Sequence, residues 1–202
     1  MTLRTPAQER SYEDFAHRCE ILRERLADPG FLANKGLGNE VGFYLFCYDP
    51  ALEMQVRGFV DRLMKESRSG ALSCCIAEKN LYDVFLRICD RKRILEKIPQ
   101  QEEKRGLDAL TKMLRRSTGV EAFADAMELD EDEQGSNVVF ITGVGEIYPL
   151  LRLHVLFEAL QQRAVFERMP VVAFYPGYYN GQAMFLFSRL DGSNYYRAFD
   201  LI

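Results

Sequence analysis

A chain of 202 residues, 48% hydrophobic and 28% charged, is long enough for one domain with a sizeable core and ordinary in composition for a soluble protein. Its net charge of −4 and pI of about 5.4 argue against a broad basic surface for gripping duplex DNA. No apolar run approaches the roughly 20 residues of a membrane span, and residues 1–15 lack the apolar core of a secretory leader, so a cytosolic protein with no membrane contact is expected.

Residues 11–26 read as an amphipathic helix, with Tyr12, Phe15, Cys19, Leu22 and Leu26 on one face and Ser11 as N-cap. Asp28, Pro29 and Gly30 stop it, and the glycine- and asparagine-rich residues 31–40 predict a loop. Residues 41–48 (VGFYLFCY) are apolar enough for a central strand. A helix over 51–67 and a second strand over 71–77 follow, an order that favours a parallel pair. Asn80 caps a helix carrying Leu81, Val84, Phe85 and Ile88; Pro99 interrupts, and a charge-dense helix covers residues 102–116. A short helix over 120–127 and an exposed acidic loop over 128–134 lead to a buried strand at 138–142.

After that strand Gly143 and Gly145 turn the chain. Pro149 is placed in the first turn of a helix that continues through Leu150, Leu151, Leu153, Leu156, Phe157 and Leu160. A strand at 171–175, a Pro176-Gly177 turn, an antiparallel strand at 183–187, a hairpin signal at Asp191-Gly192 and a final strand at 195–201 complete the reading. The fold class expected is α/β: a mixed, mainly parallel sheet of five to six strands flanked by helices, with a C-terminal antiparallel hairpin. Residues 1–202 form one domain, within which residues 80–127 are either part of the helical layer or a small helical insert.

Three groups of residues invite a functional reading. Strand, glycine turn and helix is the unit that places ligands at strand carboxyl ends, which makes Gly143, Gly145, Glu146 and Arg152 candidates for a ligand pocket. The turn lacks the Lys-Ser or Lys-Thr of a phosphate loop and the third glycine of a dinucleotide fingerprint, and Glu146 repels phosphate, so no cofactor is expected. Two isolated histidines, His17 and His154, and five cysteines at no zinc spacing predict no metal site and reduced thiols, most of them buried. No nucleophile turn or metalloprotease helix is present, so no catalytic residue is named. Tyr178, Tyr179, Tyr195, Tyr196 and Arg197 concentrate the residue types enriched in protein interfaces; packing of the sheet and stacking on bases are the alternatives.

Three segments carry a family resemblance: FLANKGLGNEVGFYLFCYDP, FITGVGEIYPLLRLH and YPGYYNGQAMFLFSRLDGSNYYRAFDLI. Together they resemble the BrxB family of bacterial BREX phage-defence systems. The resemblance implies a small component of a multi-gene locus that methylates host DNA and blocks phage replication. The family has no settled catalytic activity, so no catalytic residues carry over. It implies an adaptor that contacts other BREX proteins, PglZ first among them. The alternatives are a degenerate nucleotide-binding or hydrolytic domain around Gly143–Arg152 and a DNA-contacting subunit, the latter disfavoured by the acidic pI.

Overall fold

The computed structural model describes residues 6–34, 42–195 and 197–201. The predicted loop lies outside them from residue 35 onward, as do Val41 and Tyr196.

The chain builds a parallel sheet covered on both faces. Strands β1 (Phe43–Tyr48), β2 (Ile76–Asn80), β3 (Val138–Thr142), β4 (Val171–Tyr179) and β7 (Phe199–Asp200) lie in the order β2-β3-β4-β1-β7. Every pair along that path is parallel. Two further strands, β5 (Ala183–Leu186) and β6 (Ser193–Asn194), extend β4 as an antiparallel meander. A parallel sheet buried on both faces needs near-continuous apolar strands, and Phe43, Leu45, Phe46, Val138 to Ile141 and Val171 to Ala173 are all fully buried.

Alternation along the strands divides the core between two layers. Phe46, Tyr48, Val138, Phe140, Val172 and Phe174 pack against helices α1 (Pro6–Ala27), α2 (Pro29–Leu32) and α3 (Glu53–Ser69). Phe43, Leu45, Cys47, Val139, Ile141 and Ala173 pack on the other side. Their partners are α4 (Leu81–Arg91), α5 (Ile98–Ser117), α6 (Val120–Ala126), α7 (Val144–Ile147), α8 (Leu153–Leu160) and α9 (Ala164–Glu167). The charged stretch therefore contributes to the second layer: Leu110 and Leu114 of α5 and Phe123 and Ala124 of α6 belong to the same cluster as the strands.

Several boundaries differ from the sequence reading, each for a local reason. Ser11 is not an N-cap: α1 runs through it, and its hydroxyl donates to Asp49 Oδ2 at 3.0 Å. The second strand is Ile76–Asn80 rather than 71–77. Residues Ala71 to Cys75 precede the pairing with β3, and the charged Glu78 and Lys79 hide the strand from a hydropathy pattern. Pro99 does not interrupt a helix but sits in the first turn of α5, where no backbone donor is missed; the break falls at Gly106 (φ 75°, ψ 167°). Pro149 is not in a helix either: the Tyr148–Pro149 bond is cis, and α8 begins only at Leu153. Pro176-Gly177 is not a turn. β4 continues through both residues, beyond the reach of β3, and carries β5 on its projecting half. The last strand is two residues long and runs parallel to β1, not antiparallel.

Gly177 makes that continuation work. Its φ is 152°, and a Cβ there would lie 2.1 Å from the carbonyl oxygen of Phe185. Only glycine lets the two backbones come that close.

Candidate functional site

In a parallel α/β sheet the loops at the carboxyl ends of the strands converge on one edge, which is where ligands and partners are met. Here that edge is formed by Tyr48 and Asp49 at the end of β1, Asn80 at the end of β2, Thr142 and Gly143 at the end of β3, and the projecting half of β4.

A chain of four polar side chains crosses it. The Tyr48 hydroxyl donates to Glu53 Oε2 at 2.6 Å, Arg57 Nε donates to Glu53 Oε1 at 2.9 Å, and Arg57 Nη2 donates to Glu146 Oε1 at 2.7 Å. Glu53 and Arg57 stand one turn apart on α3, so helical spacing pairs them and leaves Arg57 free to reach Glu146 on α7 as well. Burial, reinforced by the hydrogen bond to Glu53, pushes the Tyr48 hydroxyl far above its ordinary range and keeps it a neutral donor. Glu146, then Glu53, hold Arg57 more firmly in its charged form. Glu146 is thus already paired with a cation of its own chain, which it shares with Glu53, and Glu53 and Arg57 are members of the site that the sequence reading missed. The i, i+4 spacing of Glu53 and Arg57 was the available signal.

The two glycines of the turn have different duties. Gly143 adopts φ 71°, and a Cβ there would meet Asn80 Oδ1 at 2.7 Å. That same oxygen accepts from the backbone of Tyr82 at 2.9 Å and Asp83 at 3.2 Å, capping α4. Gly145 lies within α7, where a Cβ would stand 3.0 Å from the Phe187 ring and 3.2 Å from Pro176. The glycines therefore bring the β3 turn against α4 and against the chain leaving β5. The following helix is a single turn and sums little dipole for holding an anion.

Arg152 points elsewhere. Its Nη1 donates to Ser193 Oγ at 2.7 Å, and its guanidinium lies 5.7 Å from the centre of the Tyr148 ring. It lines a small pocket of about 20 Å³ with Tyr175, Met184 and His154. Burial holds the His154 imidazole below its ordinary pKa, favouring the neutral ring.

The tyrosine-rich tract divides in the same way. Tyr178 is 46% exposed, stacks on Phe185 with ring centres 4.5 Å apart, and with Tyr179 lines an open crevice of about 720 Å³. Tyr48, Asp49, Arg18 of α1 and Arg189 are among its other lining residues. Two successive residues on that wall, Phe187 and Ser188, hold positive φ angles of 57° and 56°, which side-chain-bearing residues seldom adopt. Tyr195, by contrast, is only 4% exposed: its ring packs against Phe157 and its hydroxyl accepts from Gln161 at 2.6 Å. Arg197 Nη1 donates to the same glutamine at 2.9 Å. The structure therefore brings Tyr178 and Tyr179 together at one place and Tyr195 and Arg197 at another.

Two further features bear on function. Lys79, 1% exposed at the end of β2, donates to Glu133 Oε2 at 2.5 Å and to the Glu128 carbonyl at 3.0 Å. The acidic segment is exposed over most of its length, as predicted, and Lys79 ties it to the sheet. Desolvation pushes the buried Cys47 thiol up to about 12, so it is no nucleophile at neutral pH. Among the described residues no three His, Cys, Asp or Glu side chains converge as a metal site, and no helix is long and apolar enough to cross a membrane.

The fold and this edge define an α/β protein whose ligand-side charges close on one another. Its family follows from comparison with known proteins. The family model described as "BREX protein BrxB" matches residues 77–201. A "BREX protein BrxB" of Bacillus cereus (strain H3081.97) is 36% identical over 187 residues, 92% of this chain and 96% of that protein. Another of the same name, from Escherichia coli O9:H4 (strain HS), is 32% identical over 186 residues, 92% of this chain and 90% of that one. No solved structure matches. The chain belongs to the BrxB family and is a component of a BREX defence system.

Proposed function

We propose that the protein is a non-catalytic, cytoplasmic adaptor that binds other BREX proteins through the carboxyl edge of its sheet, with PglZ as the first partner to test. One observation carries this reading. The polar groups on that edge are spent on one another, whereas large apolar side chains beside them are exposed: Met54 at 72%, Tyr82 at 42% and Tyr178 at 46%. They follow β1 and β2 and end β4, so they are spread along the whole edge. Exposed aromatic and methionine side chains among satisfied polar groups are the composition of a protein-binding hot spot.

The rival reading, a degenerate nucleotide-binding or hydrolytic domain around Gly143, Gly145, Glu146 and Arg152, has less to support it. Glu146 is engaged by Arg57, and Arg152 by Ser193. Co-expression with each BREX protein, followed by affinity capture, tests the adaptor reading. Capture of PglZ is expected, and a Met54→Ser/Tyr178→Ala double variant is expected to weaken it at least tenfold with an unchanged melting temperature. Loss of every BREX partner by the intact protein, or full capture by the double variant, sinks the proposal or its surface.

A further inference from the structure

The acidic pI averages two regions of opposite sign. Residues 87–116 hold ten Lys and Arg against five Asp and Glu, although the whole chain is at −4. The end of this stretch is one surface. Lys92, just past the last turn of α4, reaches the carbonyl of Ser117 at the last turn of α5 and staples the two helix ends together. Arg91 and Arg93 flank that lysine, and Lys112 and Arg116 sit one helical turn apart on α5 beside its acceptor. Arg91, Lys92, Arg93, Lys112 and Arg116 are all exposed, and among the described residues none has a carboxylate within 4.0 Å, although Asp90 and Asp108 are near in sequence.

Elsewhere the same chain pairs its cations readily. Arg163 meets Asp125 at 2.6 Å and Glu121 at 3.2 Å, and Arg57 meets two glutamates. Cations near a helix C-terminus are stabilised by its carbonyls, which favours Arg91, Lys92, Arg93 and Arg116 one by one, but not Lys112 and not the absence of any carboxylate beside them. Exposed guanidinium and ammonium groups gathered at two joined helix ends, with no described carboxylate beside them, match a phosphodiester backbone, which carries negative charge at regular intervals and is met by charge rather than by shape.

We propose that this basic end of the α4–α5 layer binds nucleic acid through its phosphates, without reading sequence. The site is separate from the carboxyl-edge surface above and stands whether or not that surface binds a protein. Fluorescence anisotropy with a labelled 30-base-pair duplex of arbitrary sequence, titrated with the full chain, tests it. Binding is expected at 50 mM salt. With about four phosphates neutralised, affinity should fall roughly 100-fold between 50 and 200 mM. Lys112→Glu/Arg116→Glu and Arg91→Glu/Arg93→Glu variants that melt as the parent does are each expected to lose at least tenfold in affinity. No binding at 50 mM overturns the proposal. So does binding that both variants retain, which would move the contact elsewhere. Loss of a captured protein from the variants, without any duplex binding by the parent, assigns the surface to an acidic protein and also overturns it.

Discussion

The carboxyl edge and the basic end of the α4–α5 layer handle charge in opposite ways. On the edge, Tyr48, Glu53, Arg57 and Glu146 satisfy one another, and the large apolar side chains of Met54, Tyr82 and Tyr178 are exposed beside them. On the helical layer, Leu110 and Leu114 are buried, and Arg91, Arg93, Lys112 and Arg116 outside have no carboxylate partner among the described residues. Closed charges fix a shape, because each partner constrains the other; open charges leave a field, which acts at a distance and weakens with salt. The contrast teaches that net charge is a poor guide to partners when positive and negative residues are segregated along the chain.

The contrast can be broken at the edge first. Gly177→Ala should have the largest effect, since its Cβ would fall 2.1 Å from a backbone oxygen that cannot swing away. A loss of more than about 3 kcal/mol, or failure to fold, is expected in urea denaturation. Lys79→Ala should come next, at roughly 3 kcal/mol, because it leaves Glu133 without its cation and the Glu128 carbonyl without a donor. A cost under about 1 kcal/mol would mean that the acidic segment is not fastened as described. Gly143→Ala should cost about 1–2 kcal/mol through its left-handed backbone and the Asn80 contact; a neutral result would show that the edge can yield.

A pH titration gives a smaller effect. His154 is held below its unfolded pKa, so its contribution is complete above about 6.5 and is lost as pH falls through its folded value. Stability should decline as pH drops from 7 to 5.5, and His154→Asn should flatten that slope. The smallest effect belongs to the other region: Lys112→Glu/Arg116→Glu should cost no more than about 1 kcal/mol, because neither side chain has a side-chain partner among the described residues and only the favourable place of Arg116 in the last turn of α5 is lost. A large loss there would erase the distinction between closed and open charge.

Much of the architecture was legible because parallel strands are written in apolar runs. Residues 138–142 were placed without error, and Asn80 was identified as a cap from its side chain alone. The second strand was misplaced because Lys79 is charged yet buried, and its compensating Glu133 is distant in sequence. Pro149 and Pro176 misled for a shared reason. Each was read from local backbone preference, whereas Pro149 follows a cis bond and Pro176 is carried by β5 and Gly177. At the site, Gly143 and Glu146 could be named but not their partners, because Arg57 approaches from α3 and Asn80 from the end of β2. The tyrosine tract read as one cluster because its members are close in the chain. Burial separates Tyr195 from Tyr178.

The sheet order has a consequence for biosynthesis. β1 is the first strand made, yet its neighbours are β4, beginning with Phe43 opposite Val171, and β7, with Tyr44 opposite Phe199. At ribosomal speeds of roughly 5–20 residues per second, a bare FYLFCY segment waits on the order of ten seconds for its first mate. Until then it is a sticky nascent peptide, and early release or premature termination would leave it so permanently. The protein's yield in the cell should therefore depend on what shelters that segment during translation, with α1 and α3, made on either side of it, as its earliest cover.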